Sequence, residues 1–426
     1  MKHFDNFSRP LEYISPMDKH LRTVIRKWAD EEVIPFRRRF DEDWKEHKLI
    51  EPAFDKLMGN KGLGLQKALF PEELGGWGLG HSDNTFMISY ALSEEVGRAD
   101  TGMAVAFLVT LWPLTTILIE PHVNWRLAKE FAPMFCDCDR AVFSALTMTE
   151  PQGGADIENI GLLGGKTLRT TARIDGDEWV INGHKLWPTN SAGVSRLFGV
   201  PCTTKPGSND RDDFAIIFVP TDTKGVSEGN PYEKAGMAAD KNSDIWFEDV
   251  RVPSWYRAHG PGLDARTFLE IIPWGQVASC GFLTGAMLNL YERLYEFVST
   301  RTYCNSVLKE NDAVAGVIGR IAGDIDICRI LGHEAARIGD RRNMPYGNEL
   351  GSEETIGKIR NIKDFISDKS VEIFGRAMDV LGAYGPDRNW DIEKHWRDVK
   401  IIQLWMGGKQ LCQMESARYF FDCKTL

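Results

Sequence analysis

The segment Thr147–Asp156 combines hydroxyl-bearing residues with a pair of glycines in a way that suits a flat ligand. It reads Thr-Met-Thr-Glu-Pro-Gln-Gly-Gly-Ala-Asp. Because glycine has no side chain, a turn at Gly153 and Gly154 lets main-chain N–H groups and the Thr149 hydroxyl approach the edge of a ring closely. The segment therefore predicts a binding site for a planar ring.

The cysteines show no spacing typical of a metal site. The only close pair, Cys136 and Cys138, has one residue between its members, whereas a zinc knuckle usually has two to four. We therefore expect reduced thiols and no metal.

The elements that must position the Thr147–Asp156 segment are predicted in the order helices, strands, helices. Apolar residues three or four apart predict a first helix from about Ser15 to Arg39, and further helices over 51–63, 85–96 and 103–119. Between Val142 and Val252, alternating runs bounded by turn residues predict strands, including 178–183, 214–219 and 244–248. Helical spacing then returns over 277–299, 313–337, 356–381 and 399–419, which is typical of an antiparallel bundle.

Composition narrows the function classes. The chain has 426 residues, 51 Lys and Arg against 61 Asp and Glu, and a formal net charge of −10, so we do not expect a nucleic-acid partner. No uninterrupted apolar run approaches the roughly 20 residues of a membrane span. The first residues lack the apolar core of a signal peptide, and we expect a cytoplasmic protein without a membrane span.

The run Arg397–Gln410, R-D-V-K-I-I-Q-L-W-M-G-G-K-Q, resembles the R-D-x-K-I-x-x-I-x-E-G-T-x-x-Q signature of acyl-CoA dehydrogenases. Five further segments are similar to motifs of that family: 147–156, 182–190, 247–253, 299–305 and 379–385. The resemblance implies an α+β fold with an N-terminal all-α domain (1–140), a middle β-barrel or sandwich domain (141–258) and a C-terminal four-helix bundle (259–426).

The resemblance also implies FAD as cofactor. In the first motif, Thr149 would hydrogen-bond the flavin ring and Gly154 would line its site. In Asn182–Asn190, Trp187 would cover one flavin face and Thr189 would contact N5, although a hairpin with a core tryptophan would give a similar pattern. The predicted flavin contacts of these two motifs are Thr147, Met148, Thr149, Gly154, Ala155, Trp187 and Thr189.

Other motifs imply a homo-oligomer. By resemblance, Arg301 would pair with the flavin pyrophosphate of a neighbouring subunit, a role that suits a guanidinium. Gly382, Gly385 and Gln410 would contact the partner's adenosine diphosphate moiety, while Asp379 replaces the usual glutamine. The family is most often a dimer of dimers, so we expect a tetramer.

The substrate side departs from the family pattern. The position of the family's catalytic glutamate is Met406, and a thioether cannot remove a proton from carbon. A second base position known in relatives aligns with Gly275. Two replacement bases are considered, Asp100 and Glu270. Alternatively, Asp100 is a helix N-cap and Glu270 is a solvated or salt-bridged carboxylate.

Large side chains map near the expected acyl pocket: Phe107, Trp112, Trp274, Trp405 and Met406. Bulky rings could shape a cavity for a flat alicyclic or aromatic acyl group. Core packing explains each ring equally well when it is taken singly.

The resemblance implies an FAD-dependent acyl-CoA dehydrogenase-like oxidoreductase. It would desaturate an acyl-CoA thioester by proton abstraction and hydride transfer to flavin N5, and would pass electrons to an electron-transfer flavoprotein. The missing glutamate keeps two alternatives open: a base-less flavoenzyme of monooxygenase, desulfinase or elimination type, and a non-catalytic flavoprotein subunit.

Overall fold

A computed structural model describes residues 7, 16–159, 168–340 and 350–424 of the chain. Its N-terminal part has five helices: α1 (Pro16–Trp28), α2 (Ile50–Met58), α3 (Thr85–Ala99), α4 (Thr101–Leu118) and α5 (Trp125–Cys136). Helix α1 is shorter than the predicted helix, whose first residue, 15, lies outside the described residues. After α1 the chain turns so that the buried Arg37 guanidinium donates to Ala99 O at 2.7 Å, where it neutralises carbonyls at the end of α3.

Helices α3 and α4 form the buried centre of this part, since every residue of both is buried. By length and mean hydropathy, two helices of the described chain could cross a membrane: α4 and α6 (Leu263–Thr300). The sequence-based expectation considered only uninterrupted apolar runs and did not identify them. The most apolar 18-residue window of each is entirely buried against protein, which is the environment of a core helix.

The middle part is one seven-stranded sheet. Its strands are β1 (Phe143–Leu146), β2 (Thr171–Asp175), β3 (Glu178–Thr189), β4 (Ser195–Thr203), β5 (Phe214–Pro220), β6 (Val226–Glu228) and β7 (Asn242–Pro253). The order is β1-β4-β2-β3-β7-β6, and β5 pairs with β4. Strands β1 and β4, which the sequence analysis did not single out, pair in parallel and are buried almost throughout. Strands covered on both faces lose the polar alternation on which strand prediction depends.

The C-terminal part consists of α6, α7 (Asp312–Asp340), α8 (Glu353–Leu381), α9 (Ile392–Leu404) and α10 (Gly408–Phe421), with a small hairpin, β8 (Thr302–Tyr303) and β9 (Ser306–Val307), after α6. Helix α8 packs against the other four helices. The single helix predicted over 399–419 is two helices, because Met406, Gly407 and Gly408 all have positive φ. The break places Met406 on an irregular link.

Side chains at the ends of elements join the three parts. Asn190, just after β3, donates to Ala106 O at 2.8 Å and to Ser144 O at 3.2 Å. Asp398 on α9 accepts from Met237 N at 2.6 Å. The predicted α+β fold, with helical, β and helical parts in that order, is confirmed.

Candidate functional site

A buried ion pair fixes the turn predicted to meet the flavin ring. The Lys185 ammonium on β3, fully buried, donates to Glu150 Oε1 at 2.9 Å, and the same carboxylate accepts from Arg169 N and Thr170 N. Burial alone would raise the pKa of Glu150, but Lys185 and these hydrogen bonds lower it to about 2. Sequence analysis named neither partner as functional, although both lie inside the two motifs.

The two predicted flavin motifs lie side by side. Leu186 N donates to Thr149 O at 2.9 Å, which places Trp187 next to the turn. A Cβ on Gly154 would lie 2.9 Å from Thr149 Cγ2 and 3.0 Å from its hydroxyl oxygen. Glycine avoids this contact and keeps the turn between the two residues, the Thr149–Gly154 cradle, open. The Trp187 ring is 56% exposed. Trp187 also meets the Tyr232 ring edge-on, with centroids 6.2 Å apart. An exposed aromatic ring beside a turn that contains two glycines fits a flat isoalloxazine ring.

The remaining residues of the first motif frame the same turn. Thr147 is buried, and its main-chain N–H donates to Gly199 O at 3.0 Å. Met148 is half-buried and Ala155 is exposed. Thr147 therefore anchors the turn to β4, whereas Ala155 is accessible to a ligand.

Thr189, predicted to contact flavin N5, lies at the end of β3 and is buried. Its hydroxyl donates weakly to Asp240 Oδ2 at 3.4 Å. Lys234 Nζ also donates to this carboxylate, at 3.0 Å. Burial raises the pKa of Asp240 from its usual value. Asp240 is a further site residue that the sequence analysis missed, because it lies in a loop outside the recognised motifs.

The residues predicted to serve a neighbour's cofactor lie in the C-terminal part. The Arg301 guanidinium, at the end of α6, lies 5.4 Å from the centroid of the Tyr384 ring. Gly382, beside Tyr384, has φ +59°, and a Cβ on Gly385 would lie 2.8 Å from Met378 O. Gln410, on α10, is exposed.

Met406 occupies a closed corner between helices. It is 3% exposed and has φ +52°. A Cβ on Gly275 of α6 would lie 2.6 Å from Met406 Cε and 2.9 Å from the Trp112 ring. Trp112 stacks on Trp405 with centroids 5.1 Å apart. Gln276 donates to Met406 O at 3.1 Å. Met406 and Gly275, which the resemblance aligns with the two base positions of the family, therefore lie together here, and neither residue is a carboxylate.

An apolar cavity of about 30 Å³ adjoins this corner. Its walls come from the loop before α3, from α3, α4 and α6: Ala68, Leu69, Leu79, Thr85, Ile88, Ser89, Leu92, Leu108, Leu111, Trp112, Thr115 and Trp274. Two of the residues predicted to shape an acyl pocket, Trp112 and Trp274, line this cavity, and Trp405 and Met406 do not. Phe107 is fully buried but does not line it.

Asp100 is held by structural contacts. It caps α4 by accepting from Met103 N at 2.9 Å, and its Oδ2 lies 2.6 Å from Lys394 Nζ, which also meets Asp398 Oδ2 at 2.8 Å. The carboxylates raise the pKa of Lys394 against the opposing effect of burial. Both Asp100 oxygens are thus engaged, which matches the N-cap interpretation and argues against a base.

Glu270 lies on α6 and forms a 3.6 Å ion pair with Arg266, one turn earlier. At about 100° per residue, it is turned about 140° around the helix from Gly275. Its side chain therefore leaves the helix away from the corner that holds Met406.

A buried cluster behind Met406 has no counterpart in the motifs. Glu158 is 7% exposed, and burial raises its pKa to about 7. Its Oε2 lies 4.0 Å from Arg360 Nη2 on α8. One turn further, Lys363 Nζ donates to Trp405 O at 2.8 Å. The cluster therefore links the middle-domain turn to the backbone that carries Met406.

Comparison with known proteins covers nearly the whole chain. Models of the acyl-CoA dehydrogenase N-terminal, middle and C-terminal domains match residues 15–124, 145–250 and 265–418. A probable acyl-CoA dehydrogenase of Bacillus subtilis (strain 168) is 27% identical over 93% of this chain and 96% of its own length. Cyclohexane-1-carbonyl-CoA dehydrogenase of Syntrophus aciditrophicus (strain SB) is 24% identical over 96% and 99%.

A solved structure has the same fold. Glutaryl-CoA dehydrogenase of Mycobacterium smegmatis in complex with FADH2 superposes with a TM-score of 0.79 at 17% identity, over 98% of this chain and 97% of that one. The three domain matches and the arrangement of the fold agree on one conclusion. The chain belongs to the acyl-CoA dehydrogenase family, whose members are FAD-dependent oxidoreductases.

Proposed function

We propose that the chain binds FAD and desaturates an acyl-CoA thioester without a carboxylate at position 406. The exposed Trp187 ring beside the Thr149–Gly154 cradle is the observation that carries this proposal. FAD, when bound, supplies an acceptor for a hydride. Trp187 would cover one face of its ring, and Thr189 would meet the ring edge near N5.

The corner at Met406 would hold the reacting part of the substrate. Trp112, Trp405 and Met406 exclude water from it, and Gln276 fixes the backbone of the link. A dry apolar site strengthens electrostatic interactions with a thioester. The proton acceptor would be another group, since Asp100 is engaged in an ion pair and Glu270 leaves α6 away from this corner.

The shape of the cavity supports a compact acyl group. Its walls include the Trp112 and Trp274 rings, which suit a flat ring better than a long flexible chain. The related Syntrophus protein is named for a cyclohexane carbonyl thioester. We therefore propose an alicyclic or aromatic-derived acyl group.

The length of α6 supports an oligomer. Arg301 lies about 39 Å along α6 from Gly275, at 1.5 Å per residue, and Gly275 touches the Met406 corner. A single FAD ring at that corner would be far from Arg301 of the same chain. We propose that Arg301, Gly382, Gly385 and Gln410 serve the cofactor of a second copy, in a homotetramer, and that an electron-transfer flavoprotein accepts the electrons.

A second candidate is base-free flavin chemistry, of the monooxygenase, desulfinase or elimination type. The specific observation in its favour is that Met406 and Gly275 together leave both family base positions without a carboxylate. Anaerobic reduction of the flavin by a thioester, with an unsaturated acyl product, would establish desaturation. Flavin that stays oxidised with every thioester, but reacts rapidly with oxygen once reduced chemically, would favour the monooxygenase version.

A further inference from the structure

Three hydroxyl-bearing residues line the apolar cavity, and two of them are satisfied by the backbone. Thr85 donates to Leu79 O at 3.2 Å, and Thr115 donates to Trp112 O at 2.7 Å. The third, Ser89, is 5% exposed, and its hydroxyl makes no hydrogen bond to the part of the chain that the structure describes. Ser89 is therefore the polar group in this wall that still needs a partner.

The missing bond is unusual for a serine within a helix. Such a serine often donates to the carbonyl one turn earlier, and Ser93 on the same helix does so, to Ser89 O at 2.7 Å. A buried hydroxyl without a partner loses its bonds to water and gains nothing in return. A polar ligand atom in the cavity would give the Ser89 hydroxyl its missing hydrogen-bond partner.

We propose that Ser89 is a specificity-determining residue that hydrogen-bonds an oxygen substituent, hydroxyl or oxo, on the acyl group of the substrate. This inference rests on the proposed function, because it takes the cavity to be the far end of the acyl pocket, where a substituent of the acyl group would lie. A serine hydroxyl both donates and accepts, so it pairs with either kind of oxygen. The substrate class becomes a compact cyclic acyl thioester that carries an oxygen on its ring.

The size of the cavity agrees with a small substituent. Its volume of about 30 Å³ exceeds the minimum that one water molecule needs, and a hydroxyl or oxo group is of that size. An unsubstituted acyl group would fill the apolar walls and leave Ser89 unpaired. A site that hydrogen-bonds a substrate oxygen discriminates strongly against the analogue that lacks it.

The test compares matched thioesters on the FAD-bound protein with its flavin reduced beforehand by dithionite, so that binding is measured without turnover. The pairs are cyclohexanecarbonyl-CoA with 4-hydroxycyclohexanecarbonyl-CoA, and 3-phenylpropionyl-CoA with 3-(4-hydroxyphenyl)propionyl-CoA. Isothermal titration calorimetry gives each dissociation constant for the wild type, for Ser89→Ala and for the control Ser93→Ala, in which the lost hydroxyl bonds the backbone.

We expect the wild type to bind at least one of the two hydroxylated thioesters about tenfold more tightly than the matched thioester without the hydroxyl. Ser89→Ala should reduce this ratio to about one, and Ser93→Ala should keep it. If the affinity ratio of the matched thioesters is the same in the wild type and in Ser89→Ala, the inference is wrong, because Ser89 then forms no hydrogen bond with the substrate oxygen. Binding without any reduction of oxidised flavin would instead contradict the proposed function, and the ratio would still decide the role of Ser89.

Discussion

The flavin side and the substrate side of the site are built from different kinds of residues. On the proposed flavin side, Thr149 and Gly154 form the cradle, and the Glu150–Lys185 pair holds its turn. Trp187 lies exposed beside the cradle, and Thr189 is buried at the end of β3. On the proposed substrate side, Met406, which the resemblance aligns with the family's catalytic glutamate, lies against Gly275 of α6, which it aligns with the alternative base position.

Under the proposed function, cofactor binding and acid–base chemistry change separately within one fold. The flavin side depends on backbone geometry, which glycines and a buried ion pair set locally. The proposed substrate side depends on single side chains, so under the proposed function a base is lost there while the helices keep their arrangement. Experiments that perturb each side in turn should therefore give separable effects.

The largest expected effect comes from Lys394, which lies between Asp100 and Asp398. Lys394→Met leaves two buried carboxylates without their cation, and we expect a loss of about 3–5 kcal/mol in the free energy of unfolding, measured with urea.

Asp100→Asn should keep the rate of flavin reduction within about threefold of the wild type. If the rate of flavin reduction in this variant falls about 100-fold or more, Asp100 acts as the base.

The cradle on the flavin side should be next in sensitivity. Gly154→Val places branched methyl groups where a Cβ already lies 2.9 Å from Thr149, and we expect about 100-fold weaker FAD binding from this clash. The measurement is the flavin-to-protein ratio after dialysis, with Gly316→Ala on the open face of α7 as control. Full retention of FAD by Gly154→Val would show that the ring lies elsewhere.

The cluster behind Met406 should make stability depend on pH. Because burial raises the pKa of Glu158 to about 7, the folded protein holds this proton more tightly than the unfolded chain. The corresponding stability is present below about pH 4.5 and is lost as the pH rises to 7. From pH 5 to pH 8, the wild type should lose roughly 2 kcal/mol relative to Glu158→Gln. Parallel stability curves for the two proteins would refute this assignment.

The smallest effect is expected at Glu270, which leaves α6 away from the Met406 corner. Glu270→Gln should change the rate of flavin reduction by less than about threefold, in stopped-flow measurements with a reducing thioester. A general base contributes about 100-fold or more. A loss of that size would identify Glu270 as the base and would require a rearrangement of α6 during binding.

The sequence predicted the order of the parts because this order depends on local signals, namely glycines, turn residues and apolar periodicity. Buried strands such as β1 and β4 lacked alternation and were not singled out. Asp240, Glu158 and Lys363 were missed because their roles arise from contacts between distant segments. The ion pair of Asp100 with Lys394 joins residues almost 300 positions apart, and no local pattern indicates it.

The most direct test of the central claim is anaerobic titration of the FAD-bound wild type and Met406→Leu with straight-chain, alicyclic and aromatic-ring acyl-CoA thioesters, followed at the flavin band. Leucine keeps the volume of methionine. We predict that at least one cyclic thioester bleaches the flavin of both proteins at rates within about threefold, because no proton transfer uses position 406. A flavin that stays oxidised across the panel would contradict desaturation, and a rate about 100-fold lower in Met406→Leu would contradict a reaction independent of Met406.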